Sequence, residues 1–342
     1  MAKVLIFGNF LEEGSTSNLQ PLDSAHHYYT SVGPGRWQAN PYGKSKHASP
    51  VDLLKRIITS FNLVARWRDY DVLIVDGSMT GLLVAITSLF RKGRRKLVVA
   101  SFNVPRRRGR CWNLLCRIFY KRVDHVFVHS TYDIDLVSRL YGMPGHRISF
   151  RSYVRKPPAE GTPEEIYLFE DKRPYILSFG SNARDYGTLF DAVRGTDLPL
   201  IVVAREYNLK GLRVPANVKV FCNIPLEQCD RLVRHCLFTV FTFDGSEPSC
   251  GQISIVTSLM LGKPVVCTDW IGVHDYISDA SNGLLAKMRD ASGLRAKMRE
   301  LAEDAELRRK LGENAHLWTI EHTDPAALHG TIDQLVTSLT SR

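Results

Sequence analysis

Short apolar runs alternate with helical segments along most of this chain of 342 residues. Val4–Phe10, Val72–Val75 and Leu97–Phe102 are predicted strands, and Pro50–Arg68 carries apolar residues at helical spacing. Strands that are apolar on both faces, with helices between them, indicate a parallel sheet covered on both sides. The same alternation restarts at Tyr175. The sequence therefore predicts an α/β protein with two doubly wound, Rossmann-like domains.

The boundary between these domains follows from composition. Residues 156–165 are rich in proline and glutamate, which is typical of a linker. We predict a first domain over residues 1–160 and a second over residues 161–324, each close to the common domain size of about 150 residues. Within the first domain, residues 19–49 show no clear period, and so long a loop is usually functional.

Positive charge is concentrated in the first predicted domain. Residues 1–160 hold 25 lysines and arginines against 11 acidic residues, whereas residues 161–342 hold 20 against 24. Between Asp76 and Asp124 there is no acidic residue but a long series of lysines and arginines. This asymmetry indicates a negatively charged partner that contacts one side of the protein.

The compartment is predicted from the cysteines and the N-terminus. Seven cysteines without a paired spacing indicate free thiols and a reducing cytoplasm. The chain runs from Met1 directly into a predicted strand, so we expect no signal peptide. No apolar run approaches the ~20 residues that a membrane span requires.

The most specific motif lies in the second domain. Ser246–Gln252 is a polar loop, an apolar helix follows and stops at Gly262, and Pro264 precedes a short buried strand. Such a loop faces the end of the sheet, where open α/β proteins place ligands. The order of residue types resembles the donor-sugar loop of GT-B glycosyltransferases, above all glycosyltransferase family 4. The resemblance continues through Asn282–Leu285.

This resemblance implies both a fold and an activity. It implies two Rossmann-like domains that face each other across a cleft, with a last helix, residues 325–342, packed back on the first domain. The implied enzyme is a retaining, hexosyltransferase-like glycosyltransferase whose substrate is a UDP- or GDP-linked sugar. It requires neither a metal ion nor a separate cofactor.

Donor-site residues are implied by position in the motif. Family members present basic side chains to the leaving diphosphate, and here Arg184 and then Arg205 are the nearest cations, unless both are solvated surface arginines. The glutamates that the family uses for sugar and ribose fall on Ser249 and Thr257, where helix capping and packing are the alternative roles, so Glu247 becomes the candidate for the sugar. The catalytic candidates are Arg184 and Glu247, and the donor-binding candidates are Gly14, Arg205, Asn223, Ser249, Cys250, Gly251, Gln252, Ile253 and Thr257.

Acceptor and membrane contacts are predicted on the first domain. His26 and His27 lie in the long loop, and Asn103 stands where many retaining relatives carry a histidine; a surface position is the alternative for the histidines. Residues 105–122 place apolar side chains at helical spacing among cations, which is typical of a helix on an anionic membrane, or of a core helix with a basic rim. The predicted membrane contacts are Arg106, Arg107, Arg108, Arg110 and Trp112.

The predicted function is transfer of a sugar to a lipid-linked or polysaccharide acceptor by a peripheral protein on the cytoplasmic face of the membrane. A catalytically weak relative that binds sugars or acts as a scaffold is the alternative, because the family's glutamates and histidine are missing. Nucleic-acid binding is compatible with the basic first half, but no nucleic-acid motif occurs and the signature lies in the acidic half. We therefore expect no nucleic-acid partner.

Overall fold

The computed structural model describes residues 1–8, 26–33, 50–90, 95–104, 109–155 and 173–341. Two compact units make up the chain. Unit 1 consists of Met1–Lys156 together with Asp324–Arg342, and unit 2 consists of Pro157–Thr323. Within the described residues, no helix combines the length and the apolar character needed to cross a bilayer.

Both units are built on parallel sheets. The strands are β1 (Lys3–Phe7), β2 (Tyr28–Val32), β3 (Val72–Val75), β4 (Lys96–Val99), β5 (His125–Val128) and β6 (Ile148–Phe150) in unit 1, and β7 (Ile176–Phe179), β8 (Leu200–Ala204), β9 (Val218–Cys222), β10 (Thr239–Phe241), β11 (Val265–Thr268) and β12 (Gly283–Ala286) in unit 2. The spatial orders are β2-β1-β3-β4-β5-β6 and β12-β11-β10-β7-β8-β9. The predicted pair of doubly wound α/β domains is confirmed.

Helices connect these strands. They are α1 (Pro50–Arg66), α2 (Ser78–Thr87), α3 (Arg110–Phe119), α4 (Tyr132–Tyr141), α5 (Tyr186–Val193), α6 (Glu206–Leu209), α7 (Leu226–His235), α8 (Gln252–Met260), α9 (Ala291–Glu303), α10 (Ala305–His322) and α11 (Pro325–Thr340). A 3-10 turn, Ser88–Phe90, follows α2.

The sheet of unit 1 is covered on both faces. Helices α1 to α4 pack on one face, whose core includes Leu73 of β3. On the other face, Ile332 and Val336 of α11 pack against a cluster that includes Ile74. Neighbouring residues of one strand thus belong to different clusters, as the two-residue period of a strand requires. This explains why the strands of unit 1 are apolar throughout.

Aspartates fix the starts of several helices. Asp185, Asp304 and Asp324 accept backbone N–H groups in the first turns of α5, α10 and α11. Each such N-cap contributes about 1 kcal/mol to helix stability. Helix α8 differs, because its N-cap residue is Gly251 and no side chain caps it. The first N–H groups of α8 are therefore left for other acceptors.

One strand lies where the sequence predicts only a loop. β2 falls within residues 19–49 and pairs in parallel with β1, Lys3 opposite Tyr28. It is an edge strand whose side chains are exposed or half-buried, so it lacks the apolar run that reveals the inner strands. Pairing with β1 across a long connection, rather than local pattern, makes this segment a strand.

Candidate functional site

The topology of unit 2 determines where a ligand can bind. From β7 the chain builds β8 and β9 on one side, then returns to the other side of β7 to form β10. The carboxyl ends of β7 and β10 therefore flank the topological switch point, where open α/β sheets bind ligands. The loops that leave these two ends are residues 180–185 and 242–251, and the second contains the sequence motif.

Arg184 joins the two sides of this switch point. Its backbone forms an isolated antiparallel bridge with Phe243. Its Nη2 donates to the carbonyl oxygen of Phe179 at 3.0 Å and to Ser254 Oγ at 2.8 Å. The guanidinium lies 4.9 and 4.8 Å from the ring centroids of Phe241 and Phe243, a favourable cation–π arrangement. Arg184 is buried, so the alternative of a solvated surface arginine is wrong.

Several polar atoms around Arg184 lack protein partners. Among the described residues, Arg184 Nε and Nη1, Ser249 Oγ and Gln252 Nε2 are buried side-chain atoms without a hydrogen bond. Leaving a buried polar group unpaired costs about 1–3 kcal/mol. All four atoms can donate a hydrogen bond. The group is thus complementary to a ligand rich in acceptor oxygens.

Gly251 allows these groups to lie close together. Its φ of +87° is left-handed, and a Cβ here would lie 2.5 Å from Phe243 Cζ and 3.1 Å from Arg184 Nη1. The preceding residue, Cys250, is buried, and burial raises the pKa of its thiol to about 12, so the thiol remains protonated at neutral pH. Negative charge at this place would therefore come from a ligand or from the half-buried Glu247.

Electrostatics favour an anion beside Arg184. Burial lowers the pKa of the Arg184 guanidinium, because desolvation disfavours its charged form. The uncapped N-terminus of α8 adds partial positive charge at the same loop. An anion would compensate both, and helix N-termini at switch points are common anion sites.

A second polar group extends along the same edge of the sheet. Arg205 follows β8 and Asn223 follows β9, and Arg205 Nη1 donates to Asn223 Oδ1 at 2.7 Å. Asn223 holds a left-handed conformation with φ of +57°. From α6, Asn208 Nδ2 donates to the carbonyl oxygen of Ser181 at 2.8 Å. The structure thus brings together two predicted donor-binding residues, Arg205 and Asn223.

Two predicted residues on the motif helix differ in environment. Thr257 is buried, and its hydroxyl donates to the carbonyl oxygen of Ile253 one turn earlier at 2.6 Å. The prediction that Thr257 binds ribose through this hydroxyl is therefore wrong for this conformation, because the donor is used within the helix. The Ile253 side chain is half-exposed in the first turn of α8. Glu247 is held in the loop by its carbonyl oxygen, which accepts from Trp270 Nε1 at 3.0 Å.

The two histidines of unit 1 lie at the amino end of the sheet. His27 precedes β2 and is buried; its Nδ1 accepts from the backbone N–H of Ala2 at 3.2 Å. Its Nε2 therefore carries the proton and donates to Thr337 Oγ1 of α11 at 2.9 Å. Acceptor binding by His27 is thus contradicted, because the ring is used to attach α11 to the sheet. His26 is exposed at the same edge, away from the carboxyl ends of the strands.

The remaining predicted residues of unit 1 are only partly described. Asn103 is exposed beyond the carboxyl end of β4, and its role stays a prediction. Arg110 is exposed as the first residue of α3. Trp112 is half-buried against the core of unit 1, which corrects its prediction as an outward membrane contact. Gly14, Arg106, Arg107 and Arg108 lie outside the described residues.

One carboxylate was not singled out from the sequence. Asp76 follows β3, and β1 and β3 flank the switch point of the unit 1 sheet. It accepts hydrogen bonds from the Ser101 side chain and from the backbone of Gly77, and burial raises its pKa while Arg151 opposes that shift. The available signal was its position directly after an apolar strand.

Comparisons with known proteins agree with this arrangement. Residues 202–318 match the family model described as Glycosyl transferases group 1. The chain is similar to Alr3699/HepE from Anabaena, with 16% identity, a TM-score of 0.71, and 99% of this chain and 100% of that chain covered. It is also similar to sucrose-phosphate synthase from Thermosynechococcus elongatus, with 12% identity, a TM-score of 0.70 and 100% of both chains covered.

A third similar structure is the α,α-trehalose-phosphate synthase from Burkholderia vietnamiensis, with 12% identity, a TM-score of 0.67, and 100% of this chain and 99% of that chain covered. No curated protein matches the chain by sequence. At these identities the structural similarity establishes the fold, while the family match, which lies within unit 2, establishes the class of chemistry. Together they identify this chain as a glycosyltransferase with the GT-B fold.

Proposed function

We propose that this enzyme transfers a sugar, with retention of its anomeric configuration and without a metal ion, from a UDP- or GDP-linked donor. The proposed acceptor is a lipid-linked molecule or a polysaccharide at the cytoplasmic face of the membrane. The observation that carries the proposal is the group of buried donor atoms without protein partners on Arg184, Ser249 and Gln252. A nucleotide-sugar supplies the acceptor oxygens that these atoms require.

The leaving group explains why the positive charge is concentrated here. When the bond between the sugar and the diphosphate breaks, negative charge develops on the diphosphate oxygens. Fixed donors that face this charge lower the barrier, because they need no reorganisation during the reaction. Arg184 and the uncapped N-terminus of α8 are such fixed donors. Alr3699/HepE, which shares this fold, has been crystallised with UDP-glucose.

The other polar groups receive roles from their positions in unit 2. Arg205 and Asn223, at the ends of β8 and β9, are proposed to contact the nucleotide beside the diphosphate. Glu247 is proposed to accept hydrogen bonds from sugar hydroxyls, since carboxylates form strong bonds of this kind. Ser249 is proposed to donate its hydroxyl to a phosphate or sugar oxygen.

A second candidate is a catalytically weak relative that binds nucleotide-sugars without efficient transfer. The observation that favours it is Thr257, whose hydroxyl is bonded within α8 and so replaces no ribose-binding carboxylate. Under this alternative the donor site is retained and turnover is very slow. Measurement of binding and of turnover on the same preparation separates the two candidates.

The test combines a thermal-shift screen with an assay of transfer. Purified protein in EDTA is screened with UDP, GDP and their glucose, N-acetylglucosamine and mannose conjugates, because a ligand that binds only the native state raises the Tm. Gln252→Leu removes one unpartnered donor, and Gln228→Leu on the exposed side of α7 is the matched control. We expect the shift by the preferred donor to fall in Gln252→Leu alone.

Transfer is then measured with lipid-linked and polysaccharide acceptors, and the anomeric configuration of the product is determined by NMR. Product with the configuration of the donor supports retention, and the opposite configuration refutes it. A donor-induced shift without turnover favours the weak relative. No shift with any nucleotide, in protein shown to be folded, contradicts the assignment of the donor site.

A further inference from the structure

The outer surface of unit 1 exposes large apolar side chains that the core does not use. Phe90 is 81% exposed at the end of the 3-10 turn after α2, and Leu89 beside it is 51% exposed. On α1, Leu54 and Phe61 are 57% and 49% exposed. The rings of Phe61 and Phe90 lie 6.2 Å apart between centroids, so the helix and the turn form one continuous apolar surface.

Helix geometry shows that this surface is additional to the packing of α1. Leu63 and Val64 of α1 are buried in the core of unit 1 and account for the inner face. Leu54 and Phe61 are seven residues apart, about two turns, and so lie on one face of the helix. A helix that only covers a sheet has a polar outer face. The apolar outer face of α1 therefore requires an explanation outside the core.

Charge indicates what covers this surface. Phe90 begins a basic stretch of sequence, and no acidic residue occurs between Asp76 and Asp124. Among the described residues of this stretch, Arg117 and Lys121 are exposed on and after α3, a helix in the same layer as α1 and α2. A symmetric dimer through this surface would place the same cationic stretches against each other. An anionic surface instead attracts them.

We propose that Leu54, Phe61, Leu89 and Phe90, here called the apolar wedge, insert among the headgroups of an anionic lipid bilayer. The cations near the wedge then lie at the level of the lipid phosphates. Aromatic and leucine side chains are suited to this interfacial depth. The inference deepens the membrane location proposed above, assigns the insertion to α1 and the turn after α2 rather than to Trp112, and is independent of sugar transfer.

Insertion and simple electrostatic attraction differ in their dependence on salt. Attraction of exposed charges is screened as ionic strength rises, whereas burial of apolar side chains in lipid is not. Wild-type protein is expected to bind vesicles of phosphatidylcholine with 30 mol% phosphatidylglycerol, and to retain part of that binding in 0.5 M NaCl. Binding to pure phosphatidylcholine should be at least tenfold weaker.

The test is sedimentation with these vesicles for a double variant, Phe61→Ser with Phe90→Ser. We expect the partition coefficient to fall at least tenfold, and the salt-resistant fraction to disappear. The matched control is Leu317→Ser with Ile320→Ser, which changes two similarly exposed apolar residues of α10 in unit 2 and should bind like wild type. Equal thermal-shift responses of all proteins to the donor show that they are folded.

A second measurement reports depth directly. Phe90→Trp should give fluorescence, above that of the wild type, that shifts to shorter wavelength on anionic vesicles and is quenched by lipids brominated on the acyl chain. No shift, or unchanged sedimentation of the Ser variants, overturns the proposal. A wild-type dimer in solution that the Ser variants abolish, without vesicle binding, overturns it in favour of a second copy of the chain. Intact donor binding in either case leaves the proposed transferase function standing.

Discussion

Replacement of Arg184 by methionine separates ligand binding from folding. In the native protein, Arg184 Nη2 donates to the carbonyl oxygen of Phe179 and to Ser254 Oγ. Ser254 Oγ is itself 3.3 Å from the Phe179 carbonyl oxygen, so these two groups remain paired when the guanidinium is removed. Methionine is unbranched, and its sulfur makes favourable contacts with aromatic rings such as Phe241 and Phe243.

The expected change in stability is small. The substitution loses hydrogen bonds from a charged donor, each worth about 1.5–3 kcal/mol, but it also removes two buried nitrogens that have no partner, at about 1–3 kcal/mol each. Replacing a buried charge with a well-packed apolar side chain is often neutral or stabilising. We therefore expect the unfolding free energy of ligand-free Arg184→Met to stay within about 1 kcal/mol of wild type.

The expected change in affinity is large. Loss of one charge-assisted hydrogen bond to the diphosphate costs about 1.5–3 kcal/mol, which corresponds to a roughly 10- to 150-fold higher Kd for UDP or GDP. Turnover should fall by at least the same factor, because the leaving diphosphate loses a cation. Urea unfolding without ligand gives the stability, calorimetric titration gives the Kd, and Arg184→Lys tests whether charge alone suffices.

One result would refute this reasoning. If Arg184→Met unfolds more easily by about 3 kcal/mol or more while its folded fraction binds the nucleotide like wild type, then Arg184 only holds the strand ends together. The group of unpartnered donors would then lose its central member as a ligand site. A higher stability with lost binding would be the strongest support.

Three further outcomes are expected. Glu247→Gln should weaken the affinity for the nucleotide-sugar about tenfold but not that for the free nucleotide, and equal effects in calorimetry would contradict the assigned sugar contact. Gly251→Ala should destabilise the protein to urea by about 1–3 kcal/mol more than Gly211→Ala, because both glycines have positive φ but only the first would clash, with the Phe243 ring; equal losses would exclude that clash. Burial lowers the pKa of His129 to about 4 from its ordinary 6.5, so its neutral form is favoured in the fold and stability should fall by up to roughly 3 kcal/mol as pH drops from 6.5 to 4. A urea series at several pH values should show a shallower decline for His129→Gln, and an unchanged slope would contradict it.

The architecture was largely predictable because both units bury their strands on two faces. Continuous apolar runs such as Val72–Val75 read directly as inner parallel strands. β2 could not be read in this way, since its edge position leaves its side chains partly exposed. Its strand conformation depends on pairing with β1 through a connection of about twenty residues, which no local pattern records.

Parts of the site were predictable only as positions, not as environments. The motif placed Gly251 and Gln252 at a helix N-terminus, where the structure has them. Whether Arg184 faced water or the interior depended on Phe241 and Phe243, which pack around it from the other side of the switch point. His27 was misassigned because its partner, Thr337, lies at the far end of the chain.

The position of α11 also affects the order in which the protein can fold. Ile332 and Val336 complete one face of the unit 1 core, but they are synthesised after the whole of unit 2. On the ribosome, unit 2 therefore has all its strands while Val4, Ile74 and their neighbours still lack the helix that covers them. Apolar sheet surfaces left uncovered in this way are prone to aggregation. The first part of the protein to be synthesised is thus the last to be completed, and it is the part that gains most from chaperone protection during translation.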